Sequence, residues 1–249
     1  MKIVCISDTH NRHKEIDCGK GDIILHAGDA TGRGQSGEIE PFLKWYGSLD
    51  FNWKIMIAGN HDWGFEKEPE RFEEMCRKYG VIYLNDSGVT IKCPWTKEEI
   101  KIWGSPVQPT FCNWAFNRDI EHLPNGDPYH GFKKHPLIKP HWDMIPNDTD
   151  ILITHGPPYG IRDTVPRWHG ISGDVEHVGC PHLMDTIENR VKPMMHVFGH
   201  IHEEYGVSYK KNTMFVNASS LDNRYIYSHK PVEIIWEDGP KHKSKKTNK

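Results

Sequence analysis

Four short motifs decide the fold of this chain: Asp8-Thr9-His10, Gly28-Asp29, Gly59-Asn60-His61-Asp62 and Gly199-His200-Ile201-His202. Each follows a short apolar run, and a fifth apolar run ends in Thr154-His155. In an open α/β sheet, ligands bind beyond the carboxyl ends of the strands. We therefore expect the five loops to bring their Asp, Asn and His side chains to one edge of a sheet.

The polar side chains of these motifs suit a metal centre. They comprise carboxylates, one amide and several imidazoles, with no thiolate, and such a mixture favours a hard-to-borderline divalent ion. Seven ligands are too many for one tetrahedral ion, whereas two metals that share a ligand form a clamp for in-line displacement at phosphorus. The predicted ligands divide into a bridge and two groups of three: Asp29 as the bridge, Asp8, His10 and His202 on one metal, and Asn60, His155 and His200 on the other.

The two glycines that precede predicted ligands have a physical role of their own. Gly28 and Gly59 have no Cβ, so the backbone can turn sharply beside the metals and reach positive φ where this is required. The simpler interpretation of each is an ordinary turn glycine, and the two interpretations are compatible.

The order and spacing of these motifs resemble the calcineurin-like metallophosphoesterase superfamily, from Lys2 to about Glu237. Four narrower features resemble its metallophosphoesterase domain-containing branch: Ser7–Asn11, Thr154–Pro158, His177–Cys180 and Val216–Ser219. The resemblance implies two divalent metal ions, with Mn²⁺ as the first expectation and Fe, Zn²⁺ or Mg²⁺ as alternatives. Some members of this branch hydrolyse cyclic nucleotides, including 2′,3′-cyclic ones.

The expected function is accordingly that of a phosphodiesterase. It would hydrolyse a small cyclic nucleotide, 2′,3′ or 3′,5′, by in-line attack of a hydroxide that bridges the metals. The alternatives are a phosphomonoesterase, a protein phosphatase or a nuclease on the same site, and a catalytically silent protein-binding scaffold. A nuclease is expected to carry a broad basic stripe, which this sequence does not offer. A silent scaffold is expected to lose a ligand or His61, whereas this chain keeps all of them.

His61 is the predicted catalytic residue. If Asn60 binds a metal, the next side chain lies beside the phosphoryl group, where it could stabilise the transition state or protonate the leaving oxygen. Asp29 or Asp62 could orient the ring, and Asp62 is otherwise expected to be structural. The alternative for His61 is a histidine that only hydrogen-bonds its neighbours.

Five further side chains are candidates to contact substrate. Arginines grip phosphate or a base, and tryptophans stack on bases. The alternatives are surface arginines and tryptophans that anchor loops. The candidates are Arg33, Trp114, Arg162, Arg167 and Trp168.

Composition narrows the class of protein. A net charge of −3 over 249 residues creates no strong field for nucleic acid or an acidic membrane. The six cysteines form no Cys-x-x-Cys pair, which favours free thiols in a reducing compartment. No apolar run approaches the ~20 residues of a membrane span, and the first strand pattern begins too early for a signal peptide. We therefore expect a cytoplasmic protein, with neither a membrane nor nucleic acid as its partner.

Hydrophobic periodicity predicts an α/β protein with a two-sheet β-sandwich flanked by helices. Strands alternate with helices in the first half, and hairpin patterns follow near residues 89–103 and 205–236. Helices are predicted at Glu38–Leu49, Glu68–Tyr79 and Pro181–Val191. Residues 1–240 read as a single metallophosphoesterase domain, and the Lys-rich residues 241–249 as a disordered tail.

Overall fold

Two β-sheets packed face to face form the centre of the molecule in the computed structural model, which describes residues 1–93, 97–121, 134–166 and 174–236. Helices cover the outer face of each sheet. The predicted two-sheet sandwich flanked by helices is therefore confirmed.

The first sheet has five strands: β1 (Lys2–Ile6), β2 (Gly21–Ala27), β3 (Phe51–Ile57), β4 (Ile82–Tyr83) and β15 (Val232–Ile235). Their order is β15-β1-β2-β3-β4, with β1 to β4 parallel and β15 antiparallel to β1. Three predicted ligand loops leave the carboxyl ends of β1, β2 and β3, which lie side by side.

The second sheet has six strands: β5 (Ser87–Lys92), β6 (Glu99–Ser105), β9 (Ile151–Thr154), β12 (Met195–Phe198), β13 (Gly206–Lys210) and β14 (Thr213–Asn217). Their order is β13-β14-β12-β9-β6-β5, and the four central strands are parallel. Two short strand pairs lie outside these two sheets: β7 (Gln108–Pro109) with β8 (Asn117–Arg118), and β10 (Thr164–Pro166) with β11 (Val175–His177).

The apolar strand sequences follow from burial on both faces, as is usual for parallel strands covered by helices. In β1, Ile3 and Cys5 face the second sheet, whereas Val4 and Ile6 face the helices. A similar division holds in β9, where Ile151 and Ile153 lie between the sheets and Leu152 packs outward. Each strand is thus fixed in register by side chains on two sides.

Three helices lie close to where periodicity predicts them: α1 (Ser36–Ser48) and α3 (Pro69–Lys78) on the first sheet, and α5 (Pro181–Asp185) on the second. Two short helices were not predicted: α2 (Trp63–Lys67) on the first sheet and α4 (Lys139–Asp143) on the second. The helix predicted over Pro181–Val191 starts at Pro181 but continues as a π-helix over Thr186–Val191. It ends where Lys192 adopts a left-handed φ of 53°. This widened turn was not predicted, because period alone does not distinguish π from α geometry.

The two sheets meet at the edge that carries the ligand loops. A β-bridge joins Ser7, at the end of β1, to Ser219, beyond the end of β14. The loops after β1, β2, β3, β9 and β12 therefore surround one region.

Within the described residues, no helix has the length and apolar character to cross a membrane. Cys5, Cys18, Cys76 and Cys180 are buried free thiols.

Candidate metal centre

The structure brings the seven predicted ligands together at the carboxyl ends of five parallel strands. Three sets of side chains each offer ligand atoms that all lie within 4.8 Å of one another. The sets overlap through shared residues: Asp8, His10 and His202; His10, Asp29 and His61; and Asp29, His155 and His200. Loops far apart in sequence therefore form one continuous polar cluster, as the motif spacing predicts.

Asp29 occupies the middle of the cluster. Its Oδ2 atom lies 3.6 Å from His10 Nε2 on one side and 3.4 Å from His155 Nε2 on the other. Its Oδ1 atom accepts a hydrogen bond of 2.8 Å from the backbone N–H of His61. One carboxylate oxygen is thus used to hold the loop, while the other faces both halves of the cluster. That arrangement suits the bridging position.

The two outer parts of the cluster are also close. On one side Asp8 Oδ1 lies 3.3 Å from His202 Nε2 and 3.9 Å from His10 Nε2. On the other side Asn60 Oδ1 lies 2.9 Å from His155 Nε2. The division of ligands into two groups around Asp29 therefore has a geometric counterpart.

Backbone carbonyls orient the histidine rings. The Nδ1 atom of each of four histidines lies 2.8–3.2 Å from a carbonyl oxygen, so Nδ1 carries the proton and Nε2 faces the cluster. Such contacts fix the tautomer and the ring orientation of metal-binding histidines. The pairs are His10 with Thr31, His61 with Gly32, His155 with Ala27 and His202 with Asp222.

The chemistry of this donor set fits divalent cations. His10 Nε2 is buried without a hydrogen-bond partner among the described residues, although it faces both Asp8 and Asp29. A buried polar atom without a partner is costly, and a cation coordinated there would satisfy it. His10 would serve as a neutral ligand, because burial lowers its pKa to about 4. Burial likewise lowers the pKa of His200 to about 3.

The two carboxylates of the cluster are held in the charged form. Burial by itself opposes ionisation of Asp8 and Asp29, but the neighbouring imidazoles outweigh it and keep both pKa values below the usual range. Conversely, burial lowers the pKa of His155 and His202, but the carboxylates outweigh it and raise each pKa to about 9. Positive charge is therefore favoured beside each carboxylate.

Four predicted ligands have an unusual backbone conformation. The φ angles of Asp8, His10, Asp29 and His200 are 52°, 36°, 54° and 68°. Few residues other than glycine adopt positive φ, and such strain collects at functional sites. Residue types and spacing do not reveal this strain, so the sequence did not predict it.

Two glycines make room for the ligands. Gly28 has a φ of +102°, and a Cβ there would lie 2.5 Å from His155 Nδ1. Gly59 does not need positive φ, but a Cβ there would overlap Asp29 Oδ1 and lie 2.8 Å from His155 Cε1. The prediction of sharp turns is therefore met at Gly28, whereas Gly59 is needed for close approach.

Two buried histidines that sequence reasoning did not single out support the ligand loops. His26 Nε2 lies 3.2 Å from the hydroxyl of Thr9, which separates Asp8 from His10. His196 Nε2 lies 2.8 Å from the hydroxyl of Thr154, which precedes His155. Burial lowers the pKa of each histidine to about 3, so both are neutral. A histidine inside an apolar strand run was the available sequence signal.

Asp62 holds two ligand loops together. Its carboxylate accepts hydrogen bonds from the backbone of Gly59 at 2.9 Å, Ala30 at 3.1 Å and Thr31 at 3.0 Å, and from the Thr31 hydroxyl at 2.7 Å. The suggestion that Asp62 orients the His61 ring is therefore wrong, because its oxygens bind the backbone. The carbonyl of Gly32 performs that role, with Asp29 Oδ2 at 3.9 Å from His61 Nε2.

His61 lines a cavity. Its ring stacks on Trp114 with centroids 4.2 Å apart, and its edge meets His10 at 4.7 Å. A cavity of about 780 Å³ opens beside this stack. Its lining includes both Arg33 and Trp114 from the predicted substrate set, together with Gln35, His61, Trp63 and Lys67.

Arg162, another substrate candidate, has a structural role. Arg162 donates hydrogen bonds to the backbone carbonyls of Glu204 and Tyr205, both at 3.1 Å, and of Val207 at 2.6 Å. Arg162 therefore anchors the loop before β10 to the segment after His202, which corrects its predicted role in binding substrate. Arg167 and Trp168 lie outside the described residues.

Sequence reasoning also missed Tyr225. Its ring lies 4.8 Å from that of His10 and 5.2 Å from that of His202, measured between centroids. Burial first, and then the negative charges of Asp29 and Asp8, raise the pKa of its phenol. The hydroxyl is thus within electrostatic reach of both carboxylates. No motif or periodic pattern surrounds Tyr225, so the sequence held no signal for it.

Comparisons with known proteins agree with this geometry. The sequence model of the calcineurin-like phosphoesterase family matches residues 1–204. The chain is 38% identical over 254 residues to metallophosphoesterase domain-containing protein 1 of Homo sapiens, which covers 94% of this chain and 70% of that protein. It is 35% identical over 241 residues to UPF0046 protein C25E10.12 of Caenorhabditis elegans, with 93% and 79% covered.

Similarity to solved structures supports the fold. The phosphopantetheinyl hydrolase of Mycobacterium tuberculosis superposes with a TM-score of 0.57 at 18% sequence identity, covering 90% of each chain. At that identity the likeness concerns the fold alone.

Proposed function

Because the chain belongs to the calcineurin-like phosphoesterase family of metal-dependent phosphoric ester hydrolases, we propose that it is a phosphodiesterase. Its proposed substrate is a small cyclic nucleotide, with a 2′,3′ or 3′,5′ ring. The proposed ligands are the seven converging side chains, with Asp29 between two divalent ions.

The position of Asp29 Oδ2 is the observation that carries the proposal. This oxygen lies within 3.6 Å of imidazole nitrogens from both halves of the cluster, so one carboxylate can serve two ions. Two ions in such a site act as Lewis acids toward the phosphoryl oxygens and lower the pKa of bound water. Mn²⁺ is the first candidate, and Fe, Zn²⁺ and Mg²⁺ are alternatives because each accepts oxygen and imidazole ligands.

His61 is the proposed acid of the reaction. The Gly32 carbonyl holds its Nδ1 at 2.8 Å, and the stack on Trp114 fixes the plane of the ring. Nε2 consequently points toward His10 and Asp29, where the phosphoryl group would bind. A proton on Nε2 can pass to the leaving oxygen.

The cavity beside His61 is large enough for the nucleoside part of a small cyclic nucleotide. Its volume of about 780 Å³ falls within the range of small-molecule sites. Trp63 and Trp114 offer aromatic faces to a base, while Arg33 and Lys67 offer positive charge to a phosphate. Since His61 also lines this cavity, the nucleoside part of the substrate, which carries the ribose oxygen protonated on ring opening, would lie in it.

A substrate panel on metal-loaded protein tests the proposal. The panel contains 2′,3′- and 3′,5′-cyclic nucleotides, bis-p-nitrophenyl phosphate as a model diester and p-nitrophenyl phosphate as a model monoester. We expect metal-dependent hydrolysis of the diesters to exceed that of the monoester, and Asp29→Asn to be inactive on both. Faster hydrolysis of the monoester would identify a phosphomonoesterase. Two bound metals without turnover of any ester would identify a silent scaffold.

A further inference from the structure

Tyr225 lies against the part of the metal centre that is formed by His10 and His202. Its ring contacts those two imidazoles at centroid distances of 4.8 and 5.2 Å, and it lies 6.4 Å from His61. These three histidines come from three separate loops, yet one aromatic ring reaches all of them. Tyr225 is also 47% exposed, so it borders the opening of the centre rather than its buried floor.

Hydrogen bonds to Asp222 fix the turn that carries Tyr225. The Asp222 carboxylate accepts hydrogen bonds from the backbone N–H of Arg224 at 2.9 Å and of Ile226 at 3.0 Å. The backbone N–H of Tyr225 donates to the Asp222 carbonyl at 2.9 Å, and the same carbonyl contacts His202 Nδ1 at 2.9 Å. The turn that orients a predicted ligand therefore also presents the tyrosine.

The backbone at Tyr225 is strained. Its φ is +59°, a conformation that is uncommon outside glycine and costly for a bulky side chain. Strain of this kind persists where the surrounding structure enforces it, and it collects at binding and catalytic sites. The Asp222 contacts supply that enforcement.

We propose that Tyr225 contacts the substrate, its hydroxyl donating a hydrogen bond to a phosphoryl oxygen of the ester bound at the metal centre. This inference rests on the proposed phosphoesterase function of the same site. A neutral phenol suits this role because it donates a hydrogen bond to an anionic oxygen without adding a positive charge that would repel the metal ions. His61 would then assist the leaving oxygen, while Tyr225 holds an oxygen that stays on phosphorus.

Tyr225→Phe is the informative variant, because it removes the hydroxyl and keeps the ring that packs on His10 and His202. We expect kcat/KM to fall by about 10–100-fold, the usual loss for one hydrogen bond to a charged group. Metal content should remain at the wild-type level. Tyr209→Phe is the matched control: Tyr209 is 71% exposed near the opposite end of the second sheet, and this variant should be unchanged.

A binding measurement separates this inference from the proposed function. Calorimetric titration of inorganic phosphate into metal-loaded protein should show weaker binding by Tyr225→Phe, by about 10-fold or more, even if no ester in the panel is turned over. Wild-type affinity for phosphate together with wild-type kcat/KM in Tyr225→Phe would overturn the proposal. So would a loss seen only in Tyr225→Ala and accompanied by loss of metal, because the ring would then act by packing alone.

Discussion

Replacing His61 by alanine provides the sharpest test of the proposed chemistry. The imidazole is held on Nδ1 by the Gly32 carbonyl and stacked on Trp114, and its Nε2 lies 3.9 Å from Asp29 Oδ2. The substitution therefore removes a positioned proton donor without touching the backbone N–H that holds Asp29. Metal content should stay at the wild-type level.

The size of the expected effect follows from that geometry. A positioned acid–base group contributes about 10²–10⁴ in rate, which corresponds to roughly 3–5.5 kcal/mol of transition-state stabilisation. The stack contributes separately, since Trp114 loses its partner in His61→Ala. Trp114→Ala is therefore the matched control: it removes the stack and keeps the imidazole, so it should reduce turnover by much less than His61→Ala.

The assay compares leaving groups. Both variants and the wild type are measured on a nitrophenyl diester and on a diester with an alkoxide leaving group, and metal content is determined on the same samples. A nitrophenolate needs little protonation, so the loss in His61→Ala should be smaller on that substrate. Equal losses on both substrates would refute the acid role. Loss of metal would refute the ligand assignment, because His61 shares one metal-capable set with His10 and Asp29.

Four further predictions test other parts of the site. Asp29→Asn should lose both metals and turnover, whereas Asp8→Asn should retain more of each, because only Asp29 lies between the two groups of predicted ligands. Elemental analysis measures the metal content of both variants. Acidification should release the metals, since imidazoles must be neutral to coordinate; equilibrium dialysis between pH 8 and pH 5 measures this. Gly59→Ala should weaken metal binding about 10–100-fold, because the new Cβ overlaps Asp29, while Gly37→Ala, with nothing within 4 Å, should not. The buried His196 has its pKa lowered to about 3, so below about pH 6.5 the unfolded chain binds more protons and stability falls as pH falls. Between pH 7.5 and pH 5, the free energy of unfolding of His196→Gln, measured in urea, should therefore fall by about 2 kcal/mol less than that of the wild type. Equal decreases in the two proteins would show that His196 is not buried in the neutral form.

The sequence predicted the convergence of the ligands well, for a simple physical reason. Parallel strands share one carboxyl edge, so polar residues that follow apolar runs must meet wherever those runs pair. Asp8, Asp29 and Asn60 follow adjacent strands of one sheet, and His155 and His200 follow adjacent strands of the other. The hairpin predicted near residues 89–103 is also observed, since β5 and β6 pair antiparallel there.

Other features depend on tertiary contacts that no local pattern records. Arg162 has the chemistry of a phosphate ligand, but the backbone carbonyls after His202 occupy its guanidinium. Tyr225 stands in an irregular turn, and only the folded chain shows that this turn lies against His10 and His202. Residue type therefore predicted what a side chain can do, whereas the fold decided which partner it meets.

The strain in the ligand loops explains why the site needs so much support from residues that bind no metal. Positive φ at Asp8, His10, Asp29 and His200 costs on the order of 1–3 kcal/mol at each position. The sum is comparable to the whole stability of an ordinary domain, which is about 5–15 kcal/mol. Asp62 and the two buried histidine–threonine pairs hold these loops from behind. Because cations bind the folded chain in preference to the unfolded one, they stabilise it further. Hydrogen bonds from residues outside the predicted ligand set therefore help to hold these strained loops in place.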